Sequence, residues 1–374
     1  MRKSGGTARV ARYLRQQIRA SRPGVSLLAF RDMSKLCRVS ATTLTTVVRQ
    51  FEEMGLLHVR PKQGIFTVEL NPSQIAEITP HELDVLYVGA DPKVVTHNAF
   101  RQDMLHHLRQ QPTERGLKVR FHGIDAGGEG VEQIQEIAED EACQACVLVN
   151  LSSLAHLHPL SLNFIPYVTI YPESADLPTH NSIVIDNDQI IAEQVNPLLE
   201  LGHRRIGYLH NVREQKFRRG EFFQRVAFYR TVLEHQLPVD NRDIAFAGHT
   251  SKHSAEGAGR VLDRRDPPTA VICKDQHLPM LYATAARLGL RIPEDLSVIG
   301  MNDVPDAMAV QPHATTVRLP RGQAVELSLK MLDRVLASPD AHVANQSVAI
   351  RLTVRDSIAP PRAAAAGRGR KQTA

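Results

Sequence analysis

The chain has 374 residues, 43% hydrophobic and 23% charged, with no Trp; that length exceeds one ordinary domain, and that composition excludes wholesale disorder. No run of about 18 apolar residues occurs, which argues against a membrane-spanning helix, and the Arg-studded start (MRKSGGTARVARYLRQQIRAS) lacks the apolar core of a secretory leader, so a cytoplasmic location is expected. The formal net charge of +5 is unevenly spread, with 13 Lys/Arg against 4 Asp/Glu in residues 1–70, 28 against 36 in 71–361 and 4 against none in 362–374, so a basic head suited to nucleic acid sits on an acidic body. The head opens on a helix in which Val10, Leu14 and Ile18 recur at spacing four beside Tyr13, ending near Ser21-Arg22-Pro23-Gly24. A second helix spans Phe30–Cys37, with Phe30, Met33, Leu36 and Cys37 inward. Arg38-Val39-Ser40 turns, Ser40 caps, and a third helix over Ala41–Met54 buries Leu44, Val47, Val48 and Phe51 before Gly55 stops it. Leu56–Val59 and Ile65–Val68 read as two short strands joined by Arg60-Pro61-Lys62-Gln63-Gly64.

Helix, helix, turn, helix and a basic hairpin make a winged helix-turn-helix over residues 1–70. Its third helix fits a DNA major groove, where the first residues reach base edges. Those residues are small hydroxyls: Ser40, Thr42, Thr43, Thr45 and Thr46. Arg31, Arg38, Arg49, Arg60 and Lys62 surround them and suit phosphates of double-stranded operator DNA. Residues 10–68 resemble the GntR-type winged-helix domain. The resemblance rests on Arg31-Asp32-Met33-Ser34-Lys35-Leu36-Cys37-Arg38-Val39-Ser40-Ala41-Thr42-Thr43-Leu44, then Phe51–Leu57 and Gly64–Val68. It implies DNA contacts from Arg31, Ser40, Thr42, Thr43, Thr45 and the wing-tip Gly64, to which the charge pattern adds Arg49 and Lys62. The family's cap before the second helix is replaced by Leu27-Leu28-Ala29, and its base-reading arginine by Ala41, so the family's operator sequence does not carry over.

Residues 71–82 (NPSQIAEITPHE) read as a linker with two prolines. From there to 361, strand-like and helix-like segments alternate. Strands are expected at Leu83–Gly89, Leu117–Gly123, Ala145–Asn150, Tyr167–Tyr171, Ser182–Asp186, Arg205–His210, Ile244–Ala247, Thr269–Cys273 and Leu296–Gly300. Helices are expected at Phe100–Gln111, Val131–Ala138, Asp188–Leu201, Phe222–Gln236, Ser254–Leu262 and Leu278–Leu288. This is an α/β pattern of doubly wound parallel sheets, long enough for two lobes with a ligand cleft between them.

Several stretches of the body resemble LacI/GalR-type effector domains. They are Gly202-His203-Arg204-Arg205-Ile206-Gly207-Tyr208-Leu209, Pro268–Asp275, Leu288–Gly300, Asn302-Asp303, Thr315–Arg318 and Val354–Pro361. The resemblance covers nearly all of 83–361. It implies a periplasmic-binding-protein-like fold, a homodimer and a small-molecule effector that is a sugar or sugar derivative, joined to its head as in arabinose-responsive repressors. By position it implies effector contacts from Tyr171, Asp186, Arg225, Lys274 and Asn302. Where the family carries Asn and Asp, this chain carries Lys274 and Asn302, two changes toward positive charge. They suggest an anionic effector, with Arg225 as a second anchor. An effector that closes the cleft is expected to change the spacing of the DNA-binding heads.

Cys143 and Cys146 form a lone C-x-x-C running into a strand, with no second pair for a four-ligand metal site, so they are read as buried apolar residues. His106-His107 and the histidines of LAHLHPL (His156, His158) read as surface or loop residues. No metal and no cofactor are expected. No nucleophile elbow, P-loop or metalloprotease motif occurs, so an enzyme is not expected. A solute-binding protein of a transport system is the alternative, and it requires an export signal and no basic head. Residues 362–374, Ala-, Gly- and Arg-rich, are expected to be a disordered basic tail.

Overall fold

A computed structural model describes residues 4–89, 99–173, 180–211, 219–238, 240–248, 250–338 and 342–362. The chain divides into two compact units, residues 1–185 with 321–347, and residues 186–320 with 348–374. The expected tail beyond residue 362 lies outside the described residues.

The first unit begins with helices α1 (Ser4–Ala20), α2 (Phe30–Leu36) and α3 (Ala41–Glu53), then the antiparallel strands β1 (Leu57–Arg60) and β2 (Gly64–Thr67). Their apolar faces close one small core around Val10, Leu14, Met33, Leu44, Val48, Phe51 and Ile65. Ser40 caps α3, its hydroxyl accepting from the Thr43 amide at 3.1 Å. Gly55 follows α3 with φ of +67°, a conformation that suits glycine. Leu36, expected inward, is 46% exposed. Met33 and Cys37 already fill the side of α2 that faces the core, and Leu36 projects away.

The segment expected as a linker holds a helix, α4 (Pro72–Ile78). Asn71 and Gln74 form a reciprocal capping box, and Pro72 occupies the first turn, where a missing N–H costs nothing. The Gln74 amide also donates to the Met54 and Gly55 carbonyls, and Ile78 is buried in the head's core.

The rest of this unit alternates β3 (Glu82–Val88), α5 (Ala99–Glu114), β4 (Lys118–Ile124), α6 (Gly128–Glu139), β5 (Cys146–Val149), a 3-10 turn at Leu154–Leu157, α7 (His158–Leu162), β6 (Tyr167–Ile170) and β7 (Ser182–Val184). The sheet order is β4-β3-β5-β6-β7, closed at the far edge by β13 (Gln346–Ser347), and every pairing is parallel. Strands β3 and β5 are buried on both faces, as parallel strands covered by helices must be, and their side chains are apolar except Glu82 and Asp84 of β3. His156, expected as a surface or loop residue, lies in the 3-10 turn and is fully buried. Gly130 makes the room, since a Cβ there would lie 2.9 Å from the imidazole Nε2.

The second unit repeats the plan with α8 (Asn187–Glu200), β8 (Ile206–His210), α9 (Arg219–Glu234), β9 (Ile244–Phe246), α10 (Ser251–Leu262), β10 (Ala270–Ile272), α11 (Leu278–Arg287), β11 (Ser297–Met301), α12 (Asp306–Ala309), β12 (Thr315–Arg318) and β14 (Arg351–Thr353). Its sheet order is β9-β8-β10-β11-β12-β14, with β14 the antiparallel edge. Helix α13 (Arg321–Ala337) belongs to the first unit. In both sheets the strand order reverses beside the first strand, between β3 and β5 and between β8 and β10. The carboxyl ends of strands flanking such a reversal are where open α/β sheets bind ligands.

Candidate functional site

In the head, α3 and the β1–β2 hairpin carry the expected DNA-contacting residues. Arg31, Ser40, Thr42, Thr45, Arg49 and Lys62 are exposed, and Thr43 and Gly64 are half-buried. The hydroxyls are partly engaged within the helix: Thr45 donates to the Ala41 carbonyl at 2.8 Å and Thr46 to the Thr42 carbonyl at 3.0 Å. A threonine that spends its proton this way still has lone pairs and a methyl group for an outside partner. The hairpin turn is built by Lys62 at φ +60° and Gly64 at φ +120°, with the Arg60 guanidinium stacked 4.6 Å from the Phe66 ring centre. Glu52, near the end of α3, accepts from the Val59 amide at 2.8 Å and so fixes the hairpin to the helix.

Helix α1 is held by polar groups of the first unit's α/β part. Arg12 is 5% exposed and donates three hydrogen bonds to main-chain carbonyls: Nε to Cys143 at 2.9 Å, one terminal nitrogen to Ala138 at 2.7 Å and the other to Asp140. Burial lowers its pKa. Arg9 reaches the Asn163 side chain at 3.1 Å, Gln16 donates to the Phe164 carbonyl at 2.7 Å, and Tyr13 packs edge-on to Phe164. None of these contacts was visible in the sequence, where Arg12 counted only toward the basic charge.

At the carboxyl ends of the first sheet, Tyr171 follows β6 with φ of +53° and is 4% exposed. Its hydroxyl has no hydrogen-bond partner among the described residues, and burial pushes its pKa well above the usual phenol range. Arg321, at the start of α13, lies near enough to oppose that shift. It pairs with Asp103 and stacks 5.0 Å from the Phe100 ring centre. Arg101 lies 5.9 Å from the Tyr87 ring centre, and Asn150 Nδ2 is 3.5 Å from the Tyr87 hydroxyl. Tyr171 is the residue the sequence reading proposed at this sheet end; Arg101 and Arg321 lie near that end and were not singled out in the sequence. Arg321 comes from a segment remote in sequence that a reading of local motifs did not connect to this sheet.

In the second unit, Lys274 and Asn302 follow the adjacent parallel strands β10 and β11, so the structure brings them to the same sheet end. Asn302 and Asp303 are consecutive left-handed residues with φ of +111° and +52°. Asp303 accepts from Arg355 at 2.6 Å. Arg225 lies on α9, one turn before Phe228, whose ring packs 5.0 Å from that of Tyr208 on β8. Asp186 is an N-cap, its carboxylate accepting from the Gln189 amide at 3.0 Å.

The residue that organises this sheet end is Asp275, fully buried. Its carboxylate accepts from the Thr316 hydroxyl at 2.7 Å and the Val304 amide at 3.0 Å, which ties the turn after β11 to β12. Gly300 makes way for it, since a Cβ there would overlap the carboxylate oxygen. Burial raises the Asp275 pKa to about 7, against the lowering effect of its hydrogen bonds. His277 completes the corner, with Nδ1 2.8 Å from the Ser254 hydroxyl and Nε2 against the Asn211 side-chain oxygen.

A family profile described as a periplasmic binding protein-like domain matches residues 195–358. The chain is 21% identical over 342 residues to the probable HTH-type transcriptional repressor ExuR of Bacillus subtilis, covering 89% of this chain and 98% of that protein. It is 31% identical over 149 residues to the HTH-type transcriptional repressor PurR of Pectobacterium atrosepticum, covering 39% of this chain and 43% of that one, so it spans less than half of the length of that relative. Among solved structures, the complex of the transcriptional regulator CelR with cellobiose superposes with a TM-score of 0.63 at 20% identity, covering 87% of this chain and 94% of that one. That likeness concerns the fold. No helix among the described residues is long and apolar enough to cross a membrane.

Proposed function

We propose that this chain is a transcriptional regulator of the LacI type and not an enzyme, a ligand-responsive repressor with a periplasmic-binding-protein-like domain and a GntR-type winged helix-turn-helix head, a reading supported by its likeness to repressors and regulators. Residues 1–70 bind double-stranded operator DNA, 71–82 join head to body, and 83–361 sense the effector and form a homodimer in the cytoplasm. The observation that carries this reading is the exposed face of α3 and its hairpin. It sets Arg31, Ser40, Thr42, Thr45, Arg49 and Lys62 outward on a chain that resembles one probable repressor over 89% of its length. A solute-binding protein has no use for that basic face.

The effector is a sugar-like anion, such as a sugar acid or sugar phosphate. Lys274 brings a positive charge to the carboxyl end of the second sheet, beside Asn302 in place of the family's carboxylate. Arg225 supplies the planar fork that grips a carboxylate or phosphate. Tyr171 contributes a buried hydroxyl in the first unit.

Two measurements test the reading. The full chain should shift DNA from upstream of its own coding region, and a candidate effector should change that shift. Calorimetry should find sugar acids or sugar phosphates binding at least tenfold more tightly than the matching neutral sugars, with the preference lost in Lys274→Ala. Tight neutral-sugar binding that survives Lys274→Ala overturns the anionic assignment, and the absence of any specific DNA shift overturns the regulator.

A further inference from the structure

The sequence offers two cysteines three residues apart, which is half a metal site. The fold supplies more. In the parallel pairing of β3 with β5, Asp84 stands directly opposite Cys146. Cys143 precedes β5 and turns its thiol back toward the same point, with the two sulfurs 3.6 Å apart. Donor atoms of Asp84, Cys143 and Cys146 all lie within 4.8 Å of one another, and all three residues are fully buried. A tetrahedral ion with metal–sulfur bonds of about 2.3 Å holds its ligands roughly 3.8 Å apart, close to the spacing found. We propose that Asp84, Cys143 and Cys146 form a site for a soft divalent metal ion of the zinc class.

The surroundings fit such an ion. Arg120 grips the Asp84 carboxylate through two hydrogen bonds of 2.8 Å, and His122 Nε2 lies 2.7 Å from the same group. Outer partners of this kind orient a metal-ligating carboxylate and fix its charge. Two thiolates and a carboxylate carry three negative charges. A divalent ion, Arg120 and the nearby Arg12 offset them without burying a net charge of more than one unit. Binding proceeds by replacing two thiol protons with two sulfur–metal bonds, so each ion taken up releases two protons and uptake strengthens as pH rises. The consequence reaches the head. The Cys143 carbonyl is one of the three that hold Arg12 of α1, so the ion would stiffen the seat of that helix.

The test uses the full chain, freed of metal under reducing conditions and titrated with Co²⁺, whose tetrahedral thiolate complexes absorb in the near ultraviolet and visible. One thiolate-coordinated Co²⁺ per chain is expected, displaced by Zn²⁺, absent in Cys143→Ser and Cys146→Ser, and intact in the control Cys273→Ser. Asp84→Asn, which keeps both thiols and removes the ligating carboxylate, should weaken Co²⁺ by more than about tenfold, since altering even an outer partner of a ligand costs that much. Far-ultraviolet circular dichroism separates lost binding from lost folding, and for any variant that fails to fold the decision rests on Asp84→Asn and the wild type. A folded wild type that shows no thiolate band overturns the proposal. So does a band that persists in Cys143→Ser, or an affinity that Asp84→Asn leaves unchanged.

Discussion

A buried carboxyl makes stability depend on pH in a direction its environment dictates. Asp275 titrates at about 7 in the fold, against about 4 in an unfolded chain. Between those values the unfolded chain gives up the proton and the folded chain keeps it, so Asp275 draws stability down as pH rises from about 4 to 7 and holds the deficit above that. In Asp275→Asn the amide can still accept from one of the two donors, and it does not ionise. Urea midpoints measured from pH 5 to 8 should fall less steeply for the variant than for the wild type, and parallel curves would show that Asp275 is not the group responsible. The same residue shows where sequence reading stops. Lys274 and Asn302 stood out because their charge departs from a family pattern. Asp275 matches that pattern, and its burial follows from Gly300, a residue that attracts attention only once the strands are paired.

Elements with a strong local period were legible. Helices α1 and α3, the hairpin, and the strands and helices expected between residues 83 and 300 lie within a few residues of where apolar spacing puts them, because burial on one face repeats every few residues, whereas the long helix α13 and the edge strands β13 and β14 were not expected. Helix α4 was not legible as a helix, since two prolines in twelve residues read as punctuation. Its capping box, Asn71 with Gln74, was nevertheless present in the text of the sequence. The pairing of Asp84 with Cys146 was also hidden, because register between β3 and β5 is a property of the sheet and not of either strand. At the level of elements, the seat of α1 invites a direct measurement. Arg12→Ala removes the donor from three carbonyls and leaves them short of partners in a buried place, a loss of about 2–4 kcal/mol. Chemical denaturation should register that loss, and hydrogen exchange should quicken along residues 4–20. Unchanged stability would mean that the seat of α1 does not depend on Arg12.

For the whole molecule, charge is divided by task, and the division can be read in salt. A head that binds operator DNA as proposed displaces counterions from phosphates, so its affinity should fall steeply with ionic strength. Removing Arg49 or Lys62 should lower the slope of log affinity against log salt by about one each. Removing Thr43 should weaken specific binding and leave the slope alone. Equal effects of Thr43 and Arg49 on the slope would count against assigning base edges to the first and phosphates to the second.

The chain passes between its two units three times, near residues 185, 320 and 347. This has a consequence during synthesis. When the ribosome has delivered residues 1–185, the first sheet has five of its strands but lacks the edge strand 346–347 and the helix 321–337, which packs against β6. The basic head, finished within the first seventy residues, therefore emerges long before the sheet that seats α1 can be completed.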